Sequence, residues 1–252
     1  MPSIEENKAA WDGYGWEQGG DEWSEAAGGA DMQWYGTILP RIHRYMPAQT
    51  ILEIAPGFGR WTQFLKDLCN DLIIVDLSEK CIQACKRRFI SCSHIHYYVN
   101  DGKSLGFLPD GSVDFVFSYD SLVHAEADVV EAYVRELGRK LSRDGVGFIH
   151  HSNLGEYTAA GANVTEPTHW RAPSMTADSF TRYAKRSGLE CISQEIINWG
   201  SGPYLIDCLT VFTKKGSLWA RANRVTRNGD FSRETRYLFM LSAMYGVNPG
   251  ES

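Results

Sequence analysis

The sequence predicts an α/β fold with a seven-stranded, mainly parallel sheet and helices on both of its faces. From residue 50 onward, short apolar runs alternate with amphipathic stretches of helical length, which is the pattern of a parallel sheet. The first of these runs leads through two glycines directly into a helix. Residues 1–48 and 216–252 lack this alternation, so they are predicted to form an N-terminal helical cap and a C-terminal helical tail around a domain at 49–215.

The elements of this domain follow one another at regular distances. The predicted strands are residues 50–55, 71–77, 95–100, 112–119, 146–151, 191–199 and 204–214. The predicted helices are residues 59–69, 78–89, 126–142 and 176–189. Ser78 and Thr176 stand at the starts of two of these helices, where a hydroxyl can accept a hydrogen bond from a free backbone N–H.

Composition limits the class of protein. The chain has 252 residues, 43% of them apolar, which is enough to bury a large core and excludes a disordered chain. Its 25 Lys and Arg against 31 Asp and Glu give a net charge of -6, which argues against a nucleic-acid partner. No apolar run reaches the roughly 18 to 20 residues of a membrane-spanning helix, and no basic-then-apolar leader opens the sequence. With six cysteines that form no CxxC pair, this predicts a cytoplasmic protein with reduced thiols and no membrane partner.

The turn after the first predicted strand has the features of a nucleotide-binding site. Gly57 and Gly59 allow a tight turn and a close ligand approach, and the helix that follows offers unpaired N–H groups. Nineteen residues after Gly57, Asp76 ends the second strand, where a carboxylate can accept both hydroxyls of a ribose. Glu53 lies in the first strand, where an acid can face the ligand. Thr62 occupies the third-glycine position of a dinucleotide fingerprint, which argues against a pyrophosphate ligand.

The motifs EIAPGFG, VDLS, NDGKSL and DFVFSYDSLVH resemble the class I S-adenosylmethionine (SAM)-dependent methyltransferase family over residues 50 to about 213. The resemblance implies a Rossmann-like sheet, methyl transfer and SAM as cofactor. The cofactor-binding positions that it implies are Glu53, Ala55, Gly57, Gly59, Asp76, Leu77, Asp101, Gly102 and Tyr119. In the family, the residues of the first turn surround the amino acid end of SAM, Asp76 would hold the ribose and Asp101 the adenine amine, and Tyr119 would lie beside the sulfonium. The alternatives are a NAD-dependent oxidoreductase and a binding domain without turnover.

Candidate catalytic residues follow the fourth and fifth predicted strands, whose carboxyl ends meet where ligands collect in such sheets. Asp120 and His124 are four residues apart, so on a helical turn they face the same way. His150 and His151 are neighbours on a strand and point to opposite faces, so only one of them is expected to reach the acceptor. His151, which is nearer the following loop, is preferred.

Two modes of acceptor activation remain open. Asp120, His124 and His151 are the candidate ligands of a Mg²⁺ ion that would lower the pKa of an acceptor hydroxyl. Their spacing resembles the metal-dependent methyltransferases of small-RNA 3′ ends and of the ubiquinone pathway, although Val123 stands where those enzymes place an acid. The alternative is a metal-free histidine base, either His151 or His124.

The acceptor pocket is expected to come from segments outside the core pattern. The cap carries four of the eight tryptophans, and residues 154–175 form a loop long enough to be a substrate-binding element. Aromatic faces stack on sugars, and nearby acids and amides bind hydroxyls. HHSNLGEY and HWRAPSMTADSF resemble bacterial sugar O-methyltransferases, among them the actinobacterial mannoside enzymes of methylmannose polysaccharide biosynthesis. This implies a saccharide hydroxyl as acceptor; a secondary metabolite, a lipid quinone or an amine is the alternative. Residues 239–245 are expected to pack on the core or on the second subunit of a homodimer.

Overall fold

The computed structural model describes residues 3–161, 164, 168–200 and 202–245. Residues 162, 163 and 165–167 of the predicted loop at 154–175 lie outside the described residues, as do residues 246–252 of the predicted tail. No helix among the residues described is both long and apolar enough to cross a bilayer.

A single sheet organises the fold. Its strands are β1 Ala48–Ile54, β2 Cys69–Asp76, β3 Ile95–Val99, β4 Val113–Ser118, β5 Leu141–Ser152, β6 Leu189–Ile197, β7 Asp207–Lys214 and β8 Arg224–Asn228. They are ordered β3-β2-β1-β4-β5-β7-β6-β8, with β7 antiparallel to both of its neighbours and the other pairs parallel. The predicted α/β class with a mainly parallel sheet is therefore confirmed.

Helices and short helical turns surround the sheet. The α-helices of the described residues are α1 Ile4–Gly13, α2 Ala30–Gln33, α3 Leu39–Ile42, α4 Thr62–Leu65, α5 Glu79–Arg88, α6 Ala127–Lys140, α7 Gly155–Ala159, α8 Ala177–Arg186 and α9 Phe231–Tyr245. Both predicted N-caps are present: the Ser78 hydroxyl accepts from the N–H of Cys81, and Thr176 forms a capping box with Ser179. The predicted helix at 59–69 is reduced to α4, because residue 69 already pairs with Ala48 as the first residue of β2.

The central strands are buried on both faces, as parallel strands covered by helices must be. Side chains alternate between two apolar clusters: Phe117 and Phe148 belong to one, and Val116 and Ile149 to the other. This alternation continues to the carboxyl end of β5. It therefore determines which face of the sheet the side chains of His150 and His151 occupy.

The sheet has eight strands where seven were predicted. The additional strand, β8, comes from the tail, which was predicted to be wholly helical. It pairs in parallel with β6, whose backbone groups would otherwise form an open edge, and α9 follows it in the chain. Residues 224–227 are exposed and mostly polar, so no apolar run marks this strand in the sequence.

The N-terminal segment covers the carboxyl ends of the strands with aromatic side chains. Trp11, Tyr14, Trp16 and Trp23 contact one another with ring centroids 5.1 to 6.4 Å apart; we call them the cap cluster. Trp34 behaves differently, because it is buried in the core and stacks on Phe64 at 4.9 Å. The first tryptophans of the segment are thus available to a ligand, whereas the fourth anchors the segment to the sheet.

Candidate active site

A cavity of about 1170 Å³ lies at the carboxyl ends of β1, β2 and β4, beneath the cap cluster. Its position is the one at which open α/β sheets bind ligands. The predicted site residues that line it are Ala55, Gly57, Asp76, Leu77, Gly102, Tyr119, Asp120 and His124. Glu53, Gly59, Asp101, His150 and His151 do not line it.

Asp76 is held rigidly at the cavity wall. One carboxylate oxygen accepts the N–H of Gly57 at 3.2 Å, and the other accepts the N–H of Ser78 at 2.9 Å. Burial raises the pKa of Asp76 to about 6, although these N–H groups favour its charged form. Each oxygen retains a further lone pair, so the carboxylate can accept a pair of neighbouring hydroxyl groups.

The two glycines of the turn allow the backbone to approach two different aromatic residues. Gly57 has a φ of +59°, and a Cβ there would lie 2.8 Å from the ring of Trp16, so glycine lets the cap cluster approach the turn. Gly59 has a φ of +91°, and a Cβ there would lie 2.5 Å from Phe89, so this glycine permits packing against the chain that follows α5. Trp16 also stacks on Phe58 at 4.6 Å, which fixes the cap cluster directly over the turn.

Three predicted cofactor residues, Glu53, Gly59 and Asp101, do not line the cavity. Glu53 is buried below the turn, where its carboxylate accepts the hydroxyl of Thr62 at 2.6 Å and where burial raises its pKa to about 8. Asp101 is exposed, and its carboxylate accepts hydrogen bonds from Lys103 and Ser104 of its own loop. In this loop, Gly102 is the residue that faces the cavity.

His151, the preferred catalytic histidine, lies away from the cavity. Its ring is fully buried and stacks on Phe180, with Nδ1 2.8 Å from the carbonyl oxygen of Ser152 and Nε2 2.8 Å from the Thr210 hydroxyl. Burial lowers its pKa to about 4. The prediction that His151 activates the acceptor is therefore wrong, because strand alternation turns this side chain to the opposite face of the sheet.

His150 points toward the cavity side, but its ring is fully buried and does not line the cavity. Its Nδ1 accepts the backbone N–H of Asp120 at 3.2 Å, so the proton of the neutral ring sits on Nε2. That nitrogen lies 3.1 Å from a carboxylate oxygen of Asp207. His150 therefore supports the backbone at Asp120, which has a φ of +57°, and is not placed to take a proton from an acceptor.

His124 is the predicted histidine that lines the cavity. Its Nδ1 lies 3.1 Å from the carbonyl oxygen of Trp170, and because that oxygen can only accept, Nδ1 carries the proton. Nε2 is left with its lone pair. Burial, with Arg171 nearby, lowers the pKa of His124 to about 4, so the ring is neutral at pH 7.

The predicted metal ligands are not assembled. His151 lies on the other face of the sheet, and Asp120 forms ion pairs with Arg60 at 3.0 Å and with Arg171 at 3.5 Å. In the part of the chain that the structure describes, no group of three His, Cys, Asp or Glu side chains is arranged to hold a metal ion. The prediction of a Mg²⁺ set at Asp120, His124 and His151 is therefore wrong.

Four buried charged side chains form a series of ion pairs where the metal site was predicted, and we call them the charge chain. Arg60 pairs with Asp120, Asp120 with Arg171, and Arg171 with Asp207 at 2.8 Å, so positive and negative charges alternate and balance. Burial alone would raise the pKa of Asp120, but the charges of Arg60 and Arg171 hold it below its usual value. The sequence did not lead us to Asp207 or Arg60 as site residues. A signal was available for Asp207, because it is an acid inside the apolar run YLIDCL.

Residues 51–145 match the family model of a methyltransferase domain. A Pyrococcus horikoshii protein is similar in structure, with 22% identity, a TM-score of 0.54, and coverage of 71% of this chain and 88% of that one. SAM-dependent methyltransferases from Methanosarcina mazei (14% identity, TM-score 0.55, 69% and 97% covered) and Clostridium acetobutylicum (14%, 0.57, 73% and 92%) share the fold. The search of curated proteins gives no match.

The fixed carboxylate of Asp76 suits a ribose diol, and Gly57 and Gly102 admit the side chains of Trp16 and Ile4 close to the backbone at the turn and after β3. Residues 51–145 match a methyltransferase-domain model, and solved SAM-dependent methyltransferases share the fold of this chain.

Proposed function

We propose that the chain transfers the methyl group of SAM to a hydroxyl of a sugar or oligosaccharide, with a mannoside as the first candidate. The observation that carries this proposal is that the cavity continues from Asp76 to His124 beneath an aromatic cover of Trp11, Trp16 and Trp170. Tryptophan faces stack on the C–H surfaces of sugars, and the neutral polar side chains of Gln33 and Asn198 line the same cavity. The charged groups of the charge chain are paired with one another.

SAM supplies a methyl group that is already activated on a sulfonium. The chain must therefore align the acceptor oxygen and receive its proton. As the oxygen bonds to the methyl carbon, the carbon–sulfur bond breaks with its electron pair on sulfur, and the O–H proton passes to Nε2 of His124. The hydrogen bond from Nδ1 of His124 to the Trp170 carbonyl holds the required tautomer.

The loop carrying Trp170 is held by the charge chain. Arg171 donates from one guanidinium nitrogen to the carbonyl oxygen of His169 at 3.2 Å and from others to Asp207. Trp170 stands between His169 and Arg171 in the chain, and its carbonyl oxygen is the hydrogen-bond partner of His124. Arg171 and Asp207 therefore hold that carbonyl oxygen in place. They are positioning residues in this proposal.

Replacing His124 with alanine is expected to lower kcat by about 10²- to 10⁴-fold, the usual contribution of a positioned base. Affinity for S-adenosylhomocysteine (SAH, the demethylated product of SAM) should stay within about twofold, because His124 makes no contact with Asp76 or the glycine turn. Single-turnover methyl transfer and calorimetric titration of SAH measure the two quantities. His96, a half-exposed histidine on β3, is the matched control, and His96→Ala should leave both unchanged. Full activity of His124→Ala would remove the base from the mechanism.

The acceptor class is tested by incubating the protein with methyl-labelled SAM and two acceptor panels. One panel contains mono- and oligosaccharides, including methyl mannosides; the other contains phenols, quinols and amines. Label in a base-stable ether of a saccharide supports the proposal. Label only in a phenol or quinol would replace it with the second candidate, an aromatic metabolite or lipid quinone, whose planar ring would stack on the same tryptophans.

A further inference from the structure

The first two turns of α9 form part of the cavity wall. The residues of these turns that line the cavity, besides Phe231, are Ser232, Arg233, Thr235 and Arg236. Residues three and four positions apart lie on the same side of a helix, so this spacing turns one side of α9 toward the cavity. Arg233 and Arg236 are exposed, and their guanidinium groups are therefore open to a ligand that enters the cavity.

The remaining surface of α9 fixes the helix in position. The carboxylate of Glu234 lies 3.2 Å from the guanidinium of Arg41. One turn later, Leu238 packs so closely on Gly36 that a Cβ at Gly36 would lie 2.5 Å from its side chain. Because the N-terminal segment holds α9 in this way, the two arginines that line the cavity are carried by a fixed backbone.

These two arginines carry positive charge that the cavity does not balance. Arg60 and Arg171 also line the cavity, but both are paired within the charge chain. Among the residues that the structure describes, none forms an ion pair or a hydrogen bond with the side chain of Arg236. Arg233 lies 3.0 Å from Asp230, but these side chains are 83% and 69% exposed, so the pair is weak and an anionic ligand can compete with it.

The two arginines lie on the acceptor side of the cavity. Asp76 ends β2, whereas α9 follows β8, and five strands separate β2 from β8 in the sheet. Phe231, the first residue of α9, stacks on Trp199, which follows β6. A group bound by α9 is therefore part of the acceptor and not the ribose of SAM.

We propose that Arg233 and Arg236 form an anion-binding subsite and that the saccharide acceptor carries a phosphate or carboxylate substituent. A guanidinium presents paired N–H groups that match two oxygens of either anion. The aromatic cover holds the sugar ring, and the arginines hold its charged substituent. The inference rests on the proposed function and adds the charge class of the acceptor.

The test measures the binding of four ligands to SAH-saturated protein by calorimetric titration. One is neutral, methyl α-D-mannopyranoside; the anionic ligands are its 6-phosphate, the corresponding mannuronoside and α-D-mannose 1-phosphate. At low salt, at least one anionic ligand is expected to bind about tenfold more tightly than the neutral one, and this preference should shrink as salt is added. The anion that gains affinity identifies the substituent as a phosphate or a carboxylate.

Variants assign the preference to the two arginines. Arg236→Gln is expected to weaken binding of the preferred anion by about tenfold, the loss of a hydrogen bond to a charged group, and to leave the neutral mannoside within about twofold. Arg233→Gln should have a smaller effect, because Asp230 already offsets part of its charge. Arg224, an exposed arginine of β8 that does not line the cavity, is the matched control, and Arg224→Gln should change no affinity. The Tm of the three ligand-free variants should equal that of the wild type.

Three results would overturn the subsite. They are equal affinity for neutral and anionic saccharides, an anion preference that survives replacement of both arginines, and an equal loss in Arg224→Gln, which would trace the preference to the overall field of the protein. A loss of SAH affinity in Arg236→Gln would also overturn it, because the arginine would then serve the cofactor. Failure of the wild type to bind SAH, or to bind any of the saccharides, would contradict the proposed function itself and the subsite with it.

Discussion

Replacement of Asp76 by alanine is expected to weaken SAH binding by about 100-fold, or roughly 3 kcal/mol. The carboxylate is fixed by the N–H groups of Gly57 and Ser78, so in the proposed cofactor site it would meet the ribose diol without further ordering. Alanine removes two charge-assisted hydrogen bonds to the ligand and leaves both N–H groups unpaired. Calorimetric titration of SAH measures the loss.

The matched control for this variant is Asp71, at the other end of β2. Asp71 is half-exposed, and its carboxylate lies 3.3 Å from His96 at the surface. Asp71→Ala should leave SAH affinity unchanged. Equal affinity of wild type and Asp76→Ala would show that the cofactor is bound elsewhere and would remove the support for the whole site.

The same carboxylate predicts a pH dependence. Burial raises the pKa of Asp76 to about 6 in the ligand-free protein, so the group is ionised above pH 6 and becomes neutral below it. A neutral acid is a weaker acceptor for the ribose hydroxyls. SAH affinity should therefore be constant above about pH 7 and fall as the pH drops below 6, and this fall should be absent in Asp76→Ala.

The second large effect concerns stability. Asp207→Ala is expected to lower the free energy of unfolding by about 3–5 kcal/mol, because it leaves the charge of Arg171 buried without its closest partner. Asp207 is fully buried and accepts from Arg171 at 2.8 Å, and His150 lies 3.1 Å away. Urea denaturation followed by circular dichroism measures the change.

A surface ion pair provides the comparison. Arg186 and Glu131 approach to 2.6 Å, but their side chains are 62% and 40% exposed, so Glu131→Ala should cost less than about 1 kcal/mol. Replacing both buried partners, in Asp207→Leu with Arg171→Met, should recover part of the loss, because no unpaired charge remains. If Asp207→Ala is no more destabilising than Glu131→Ala, the charge chain does not hold this end of the sheet.

Strand alternation explains why the choice between two adjacent histidines failed. The sequence places His150 and His151 at the end of β5, but proximity to a loop carries no information about which face a strand residue occupies. The strand register does carry this information, because Phe148 and Ile149 belong to apolar clusters on opposite faces of the sheet. The side chain of His151 therefore lies on the same face as Ile149, away from the cavity. The preference for His151 led directly to the wrong metal set.

The glycine turn and Asp76 were predictable because their roles depend on local backbone geometry and on the end of one strand. Glu53 and Asp101 were misplaced although they belong to the same motifs. Their carboxylates satisfy nearby groups, Thr62 in one case and the loop at 103–104 in the other, and these short contacts form without any reference to a ligand.

The sequence by itself determined the α/β class, seven of the strands, the helix caps and the methyltransferase motifs, because each depends on periodicity or on residues close together in the chain. Only the tertiary structure decided that β8 completes the sheet, that Arg60, Asp120, Arg171 and Asp207 form one chain of charges, and that His124 faces the cavity. These features join residues up to 147 positions apart, and their partners are set by strand register and packing, which no local pattern encodes.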